Sequence, residues 1–411
     1  MRFLFAAWAF LWIALISRCF GAEQPITVAD ALREGASRST AVAEARARLD
    51  ALAFRIKAAG LPPPTELVVS VGAGDVSEES NMIRQEWELA GQPGFRRELA
   101  RSEWNAAREE LVQALLERVR EIKAAYIRVL FAQDAVLLDR EILEILSIFL
   151  EKVRKQKELG DVPGSHVVRT ELEVSKARRE TAGSEQVLKE ARRHLELLLG
   201  RPPDKGIEDQ SPVVVKPLPD LLSLEKQALE LRPEIQISQA RIRGREIGIM
   251  LLRKGLSPNL YASVNRSRLF GDVEMGASVG ITMPLQDWGK NANELREAEA
   301  LLKGARDAHD LLIKEIIRDV NEAYIAATGA RERLRLFREG TTLSTQRLLD
   351  MAGKGYRAGA ASYLEVLEAQ RVFKEARKEL LELSRSVLET TLALSVACGL
   401  DRELFGEEHL K

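Results

Sequence analysis

The sequence predicts a mainly α-helical protein with a small β part. Charged residues make up 30% of its 411 residues and aromatic residues only 5%, a composition typical of long helices and coiled coils. Apolar residues recur with helical spacing over most of the chain, and Gly and Pro interrupt this pattern at only a few places. Four short strand-like runs account for the β part.

The N-terminus has the layout of a secretory signal peptide. Residues 3–17 form an apolar run that is too short to span a bilayer as a helix, and small residues follow at Gly21 and Ala22. We therefore expect residues 1–22 to be removed after export. The two alternatives are attachment of a lipid at Cys19 and a structural N-terminal helix.

The order of elements in the first half of the chain is repeated in the second half. The first half contains a helix, two strand-like runs, a long helix and a further helix, at about residues 27–59, 65–74, 81–89, 95–159 and 165–199. The second half contains the same series, at about residues 221–254, 259–269, 274–285, 290–354 and 362–397, with a break at 355–359. Gly160 and Gly359, which lie in the two helix-breaking turns, are 199 residues apart. We interpret the mature chain as two repeats, residues 23–205 and 206–411.

The helices that follow the two breaks carry the same heptad register. Apolar residues recur every seven positions in the last helix, at Val366, Phe373, Leu380, Val387 and Leu394. The positions 199 residues earlier are Val167, Val174, Thr181, Leu188 and Leu195. A seven-residue period predicts left-handed supercoiling against a neighbouring helix. We therefore expect long helical hairpins, in which each break joins two antiparallel helices.

The strand-like runs have the length and the period of transmembrane β-strands. In the last run Met275, Ala277, Val279 and Ile281 alternate with small or polar residues, as expected for strands of about ten residues with one face in lipid. Four strands cannot close a barrel, and open sheet edges are not tolerated in lipid. If the strands span a membrane, two copies of the chain would supply eight strands and three copies twelve. The alternative is a pair of soluble hairpins that cap the helices.

The composition argues against a nucleic-acid-binding protein and against an enzyme. The 61 basic and 62 acidic residues nearly balance, whereas nucleic-acid binding requires a basic excess. None of the four histidines is spaced for joint metal binding, namely His166, His194, His309 and His409. The sequence contains neither a Gly-rich phosphate-binding loop nor a recognisable Ser/His/Asp arrangement. We therefore predict no catalytic activity, no cofactor and no bound metal.

Several stretches resemble those of one known family. Residues 231–235, Leu-Arg-Pro-Glu-Ile, are similar to the start of its second repeat, and residues 287–289, Asp-Trp-Gly, to its strand-to-helix turn. Residues 356–370, which begin Tyr-Arg-Ala-Gly and continue into Ser-Tyr-Leu-Glu-Val-Leu-Glu, resemble its second helical tip. Over residues 25–400 the chain resembles the outer-membrane efflux proteins of the TolC type. Residues 85–89, Gln-Glu-Trp-Glu-Leu, are similar to the branch of that family associated with heavy-metal efflux.

This resemblance implies a homotrimer in the outer membrane. Its twelve strands, four from each protomer, would form one shared barrel in lipid, and its helices would form an α-barrel tunnel in the periplasm. The implied partners are a periplasmic adaptor protein and an inner-membrane pump of a tripartite efflux or type I secretion system, with the duct itself passive. The cargo stays open among metal ions, organic toxicants and polypeptides. The alternative is a periplasmic coiled-coil structural or adaptor protein without a membrane barrel.

The resemblance also assigns candidate site residues. In the family, acidic residues just after the second tip line the narrow periplasmic end of the tunnel, and the matching positions here are Glu365 and Glu368. They are three residues apart and share one helix face, so a trimer would hold six carboxylates, which favour cations. Adaptor docking is expected at the two tips, at Gly160, Asp161, Val162, Pro163, Arg357, Ala358, Gly359 and Ala360.

Overall fold

The structure is a computed structural model that describes most of the chain. The described residues are 31–32, 35, 38–71, 79–200, 217–269, 272–284 and 286–404. The predicted signal peptide, residues 1–22, lies outside them, as does most of the Pro-rich segment between the two halves. Cleavage of the signal peptide therefore stays a prediction, and lipidation of Cys19 stays its alternative.

Helices make up most of the described chain, and the strands form one antiparallel sheet. In the first half the elements are α1 (Thr40–Ala59), β1 (Glu66–Val71), β2 (Glu79–Glu88), α2 (Gln92–Glu158) and α3 (Gly164–Leu199). In the second half they are α4 (Leu221–Leu231), α5 (Pro233–Arg253), β3 (Asn259–Leu269), β4 (Asp272–Thr282), α6 (Lys290–Gly340), α7 (Thr342–Arg357), α8 (Tyr363–Cys398) and a short 3-10 helix (Leu400–Leu404). The predicted mainly α fold with a small β part is confirmed.

The helix predicted over residues 221–254 is in fact two helices, α4 and α5. Arg232, which lies between them, has extended backbone angles of φ −68° and ψ 124°. Pro233 disfavours the α conformation in the residue before it through a steric clash, and it has no backbone N–H to donate. It is tolerated at the first position of α5, because an N–H there has no partner within the helix.

The helix predicted over residues 290–354 is also divided, into α6 and α7. At the junction Thr341 has φ −96° and ψ −41°, and its N–H still donates to the carbonyl of Phe337 at 2.9 Å. The division is therefore a local distortion of one hydrogen-bonded run, and Gly340, a weak helix former, precedes it. The break predicted at residues 355–359 starts later, after the end of α7.

The chain divides into two compact units, and each contains segments from both halves of the sequence. The tip unit comprises the described residues within Met1–Thr40, Leu116–Glu225 and Asp319–Asp401. The sheet unit comprises the described residues within Ala41–Leu115, Lys226–Arg318 and Arg402–Lys411. The two turns that join α2 to α3 and α7 to α8 belong to the tip unit, and all four strands belong to the sheet unit.

The core of the tip unit follows the heptads of α3 and α8. Val174 and Val366 are buried in one cluster together with Leu138 and Phe149 of α2. Every predicted heptad position is buried or half-buried, namely Val167, Val174, Thr181, Leu188, Leu195, Val366, Phe373, Leu380, Val387 and Leu394. The inward-facing heptad positions are therefore confirmed, whereas the left-handed supercoiling stays a prediction.

The sheet unit contains a four-stranded antiparallel sheet in the order β1-β2-β3-β4. Its register aligns Leu67, Ile83, Val264 and Ala277 in one row across the strands. In the part of the chain that the structure describes, β1 pairs only with β2 and β4 only with β3. Each of these two strands therefore has one open edge of unpaired backbone groups.

The two faces of the sheet differ in polarity. One face exposes large apolar side chains, at Leu67, Val69, Ile83, Trp87, Val264, Met275, Val279 and Ile281. On the other face the guanidinium of Arg84 lies 4.4 Å from the ring centre of Tyr261, and the hydroxyls of Ser263 and Ser278 are 2.8 Å apart. Among the described residues no helix is both long enough and apolar enough to cross a membrane.

Candidate functional site at the two helical tips

The first tip is a tight turn that ends α2. Gly160 has a positive φ of 83°, and its N–H donates to the carbonyl of Lys157 at 3.0 Å. The N–H of Asp161 donates to the carbonyl of Gln156 at 2.9 Å. These two bonds form a Schellman motif, which ends a helix by placing a glycine in the left-handed conformation. Pro163 then starts α3 from an extended conformation without a side-chain cap.

The second tip has the same backbone geometry. Gly359 has φ 71°, its N–H donates to the carbonyl of Tyr356 at 3.2 Å, and the N–H of Ala360 donates to that of Gly355 at 2.8 Å. Each of these residues follows its counterpart at the first tip by 199 positions. The repeat seen in the sequence is therefore also present in the hydrogen bonds of the turns.

Aromatic side chains connect the two tips inside the tip unit. The hydroxyl of Tyr356 donates to Oε1 of Gln156 at 2.6 Å. The ring of Phe149 contacts Tyr356 edge-on and stacks on Tyr363, with both ring centres 5.9 Å away. Burial raises the pKa of Tyr356, and the nearby Tyr363 adds to the effect. Tyr356 is therefore a neutral hydrogen-bond donor at physiological pH.

Tyr363, the first residue of α8, contacts the first turn of α3. Its hydroxyl donates to the carbonyl of His166 at 3.0 Å and lies 2.9 Å from Oγ1 of Thr170. Its ring stacks on the imidazole of His166, with the ring centres 4.1 Å apart and the planes 8° from parallel. These contacts hold the start of α8 against the start of α3.

The predicted docking residues lie together at the two turns. All are exposed except Val162, which is half-buried and packs against the core of the tip unit. Arg357 is exposed, and no carboxylate pairs with it in the described part of the chain. The sequence did not single out Phe149 and Gln156. A sequence signal that could have pointed to these contacts is the rarity of aromatic residues, because Tyr356 and Tyr363 flank the second turn.

The two predicted gate residues are exposed on the first turns of α8, with different local partners. The backbone N–H of Ser362 donates to Oε2 of Glu365 at 2.5 Å, and the backbone N–H of Glu365 donates to Oγ of Ser362 at 3.3 Å. This pair is a capping box, so Glu365 also has a structural role. Glu368 forms an ion pair of 3.5 Å with Arg371. Both acids therefore remain accessible while their positions on the helix are fixed.

A partly buried charge cluster lies further along the same helices. The ammonium of Lys374 is 2.6 Å from Glu180, and that of Lys378 is 2.9 Å from Glu180 and 3.1 Å from Asp139. Burial opposes ionisation of Glu180, but its hydrogen bonds to both lysines outweigh this and hold its pKa below the usual value. The cluster connects α2, α3 and α8 by electrostatic attraction. In the described residues no group of three or more acids, histidines or cysteines could hold a metal ion.

Comparison with known proteins shows what the chain is similar to. The family model of the outer membrane efflux protein matches residues 224–400. The cobalt-zinc-cadmium resistance protein CzcC of Cupriavidus metallidurans is 25% identical over 87% of this chain and 86% of its own length. The second half of the chain therefore matches the outer-membrane efflux protein family model, and most of the chain is similar to CzcC.

Solved structures agree with the fold of this outer-membrane efflux protein. It matches the membrane-channel protein CusC with a TM-score of 0.77 and 19% identity, over 90% of this chain and 92% of that chain. It matches the outer membrane protein VceC of Vibrio cholerae with a TM-score of 0.75 and 19% identity, over 90% of this chain and 96% of that chain. At these identities the likeness shows a shared fold.

The efflux family defines the general role and the location. The protein is an outer-membrane channel component for efflux, and its relatives are transport proteins. The alternative of a periplasmic coiled-coil structural or adaptor protein does not fit these relatives.

Proposed function

We propose that this efflux protein is a homotrimeric, passive exit duct. Twelve strands, four from each protomer, close one barrel in the lipid of the outer membrane, and the helices of the three protomers form a tunnel in the periplasm. The tips meet a periplasmic adaptor that is coupled to an inner-membrane pump, and the pump supplies the energy. In this proposal residues 1–22 are the signal peptide, and residues 23–205 and 206–411 are the two efflux repeats.

The open edges of the sheet are the main observation that supports a barrel shared by several copies of the chain. In lipid each unpaired backbone group costs several kcal/mol, because no water replaces the missing partner. Pairing β1 of one copy with β4 of the next removes both open edges, and three copies give twelve strands. The exposed apolar face suits contact with lipid, and the polar face around Arg84 and Tyr261 suits a water-filled channel.

The two tips support the contact with an adaptor. They present small exposed residues and the same turn geometry twice, so an adaptor could recognise two similar surfaces on each protomer. Phe149, Tyr356 and Tyr363 hold the two turns to each other and preorganise this surface, which reduces the entropy lost on binding.

The acids after the second tip support a cation-attracting constriction. Glu365 and Glu368 are exposed on one face of α8, and three protomers would bring six carboxylates together. Such a ring favours cations and disfavours anions. Two observations favour metal ions as the cargo. One is this ring of carboxylates, and the other is the match to a metal-resistance protein over most of the chain.

The test compares two neighbouring residues of β4. Val279 lies on the apolar face and Ser278 on the polar face of the sheet. A lysine on a lipid-facing strand costs about 2–4 kcal/mol at the bilayer centre, so Val279→Lys should abolish insertion into the outer membrane while Ser278→Lys retains it. The readouts are the SDS-resistant trimer in outer-membrane extracts and single-channel conductance. Recovery of the wild-type protein as a soluble periplasmic monomer would contradict the proposal.

A deletion strain tests the cargo. We expect the deletion strain to be more sensitive than its parent to cobalt, zinc or cadmium salts. Expression of the wild-type chain should restore resistance. Unchanged metal sensitivity together with greater sensitivity to organic toxicants would reject metal ions and leave the duct itself intact.

A further inference from the structure

Trp288 is an exposed aromatic residue in an unusual backbone conformation. Its side chain is 87% exposed. Its φ is +55°, and among the described residues it is the only residue other than glycine with a positive φ. A bulky residue rarely adopts this conformation, so the surrounding structure must impose it.

The neighbouring residues impose the turn without help from the indole. Asp287 accepts hydrogen bonds from the backbone N–H of Gly289 at 3.1 Å and from that of Asn291 at 2.9 Å. Gly289 has φ 80°, and α6 begins directly afterwards. The fold therefore fixes the position of Trp288, although the indole itself contributes almost no packing.

Trp288 lies in the chain between the apolar face of the sheet and a charged helix. The register aligns Trp87, Leu260 and Ile281 in one row near the end of the sheet from which the helices continue. Beyond that row the apolar Met283 is 51% exposed. On the other side of Trp288 comes Lys290, whose side chain is 78% exposed. Along the chain, Trp288 thus lies between exposed apolar residues and an exposed charged residue.

We propose that Trp288 is a membrane anchor whose indole inserts at the phospholipid headgroup level, and that with Trp87 it sets the depth of the sheet. Tryptophan is enriched at this level because its ring is apolar and its N–H donates a hydrogen bond. Lys290 can extend its ammonium towards lipid phosphates. This inference rests on the proposed function, in which the sheet spans the outer membrane.

The test uses full-length chains that keep one tryptophan after signal-peptide removal. The variant Trp87→Phe/Trp104→Phe keeps Trp288, the variant Trp104→Phe/Trp288→Phe keeps Trp87, and the variant Trp87→Phe/Trp288→Phe keeps Trp104 as a control. Trp104 lies on α2, about 18 Å further along the helix than Gln92. Each variant is reconstituted in phosphatidylcholine vesicles that contain lipids brominated at a shallow or a deep acyl position.

We expect brominated lipid to quench Trp87 and Trp288 and to leave Trp104 unaffected, with shallow bromine most effective for Trp288. Quenching of Trp87 without quenching of Trp288 would overturn the anchor and leave the proposed function intact, since Trp288 would then face water or a neighbouring subunit. Absence of quenching at both positions would overturn the anchor together with the membrane-spanning sheet. The variant Trp288→Ala should keep the unfolding temperature in detergent, whereas a fall equal to that of Asp287→Ala would show a folding role and overturn the anchor.

Discussion

The hydroxyl of Tyr356 and the side-chain oxygen of Gln156 form a 2.6 Å hydrogen bond that joins the two helical tips. Both residues also accept backbone hydrogen bonds within their own turns, Gln156 from Asp161 and Tyr356 from Gly359. The bond therefore joins the two turn motifs directly. A change in one turn is expected to alter the other.

Tyr356→Phe tests this connection. It removes one hydrogen bond, worth about 1 kcal/mol, and keeps the aromatic contact with Phe149. We expect faster hydrogen exchange of the backbone amides at residues 156–161 and 355–361, measured by mass spectrometry in detergent. Tyr324→Phe, on α6, is the control and should leave both segments unchanged. Unchanged exchange in Tyr356→Phe would show that the bond to Gln156 is not needed to hold the tips together.

Two glycines allow the effect of a Gly→Ala substitution on stability to be compared between a turn and a helix. Gly359 has φ 71°, Gly329 lies within α6, and an added Cβ would meet nothing within 4 Å at either position. Gly359→Ala should therefore lower the free energy of unfolding by about 1–2 kcal/mol through backbone strain. Gly329→Ala should raise it by about 0.5–1 kcal/mol. Thermal unfolding in detergent should show opposite shifts, and shifts of the same sign would contradict this account.

Much of the architecture was predictable from local signals. The prolines near residue 62, the glycines of the two turns and the heptads of the last helix indicated where elements end and which faces are buried. The same rules could have predicted the division of the helix at Pro233. It was missed because apolar residues continue with helical spacing on both sides of the proline. The distortion at Thr341 has weaker causes, since its hydrogen bonds continue.

The site was predictable only in part, because contacts between distant residues leave no local pattern. Glu365 was singled out through the resemblance to the family, yet Ser362 three residues earlier also marks a capping box in the sequence. The pairing of Gln156 with Tyr356 depends on how two hairpins pack. Heptads specify which residues face inward and do not specify such polar contacts.

The charge cluster predicts a pH dependence of stability. The folded pKa of Glu180 is lowered, so its ionised form contributes stability that is present above the unfolded pKa of about 4.3 and is lost as the pH falls through the folded value. The pKa of Lys378 is raised, since its bonds to Glu180 and Asp139 outweigh burial. Its contribution is present below the unfolded pKa of about 10.4 and is lost as the pH rises through the folded value.

Glu180→Gln should therefore lower the unfolding temperature at neutral pH and approach the wild type below about pH 4. Thermal unfolding in detergent at a series of pH values measures this convergence. Glu375→Gln is the control, because it removes an acid of α8 whose pair with Arg371 is exposed to solvent and should have little effect. A constant difference between Glu180→Gln and the wild type at every pH would mean that lost packing, and not lost charge, causes the destabilisation.

Two substitutions distinguish the proposed gate role of the Glu365 charge from the role of Glu365 in helix capping. Glu365→Gln removes the charge but keeps an acceptor for the N–H of Ser362, since glutamine also completes a capping box. Ser362→Ala removes the cap at a cost of about 1 kcal/mol and keeps the charge. If the carboxylates attract cations, Glu365→Gln and Glu368→Gln should lower the preference for K⁺ over Cl⁻ in planar bilayers, and Ser362→Ala should lower only the unfolding temperature. Glu379→Gln, further along α8, should change neither. Unchanged selectivity in Glu365→Gln combined with a stability loss equal to that of Ser362→Ala would make Glu365 a capping residue and remove it from the gate.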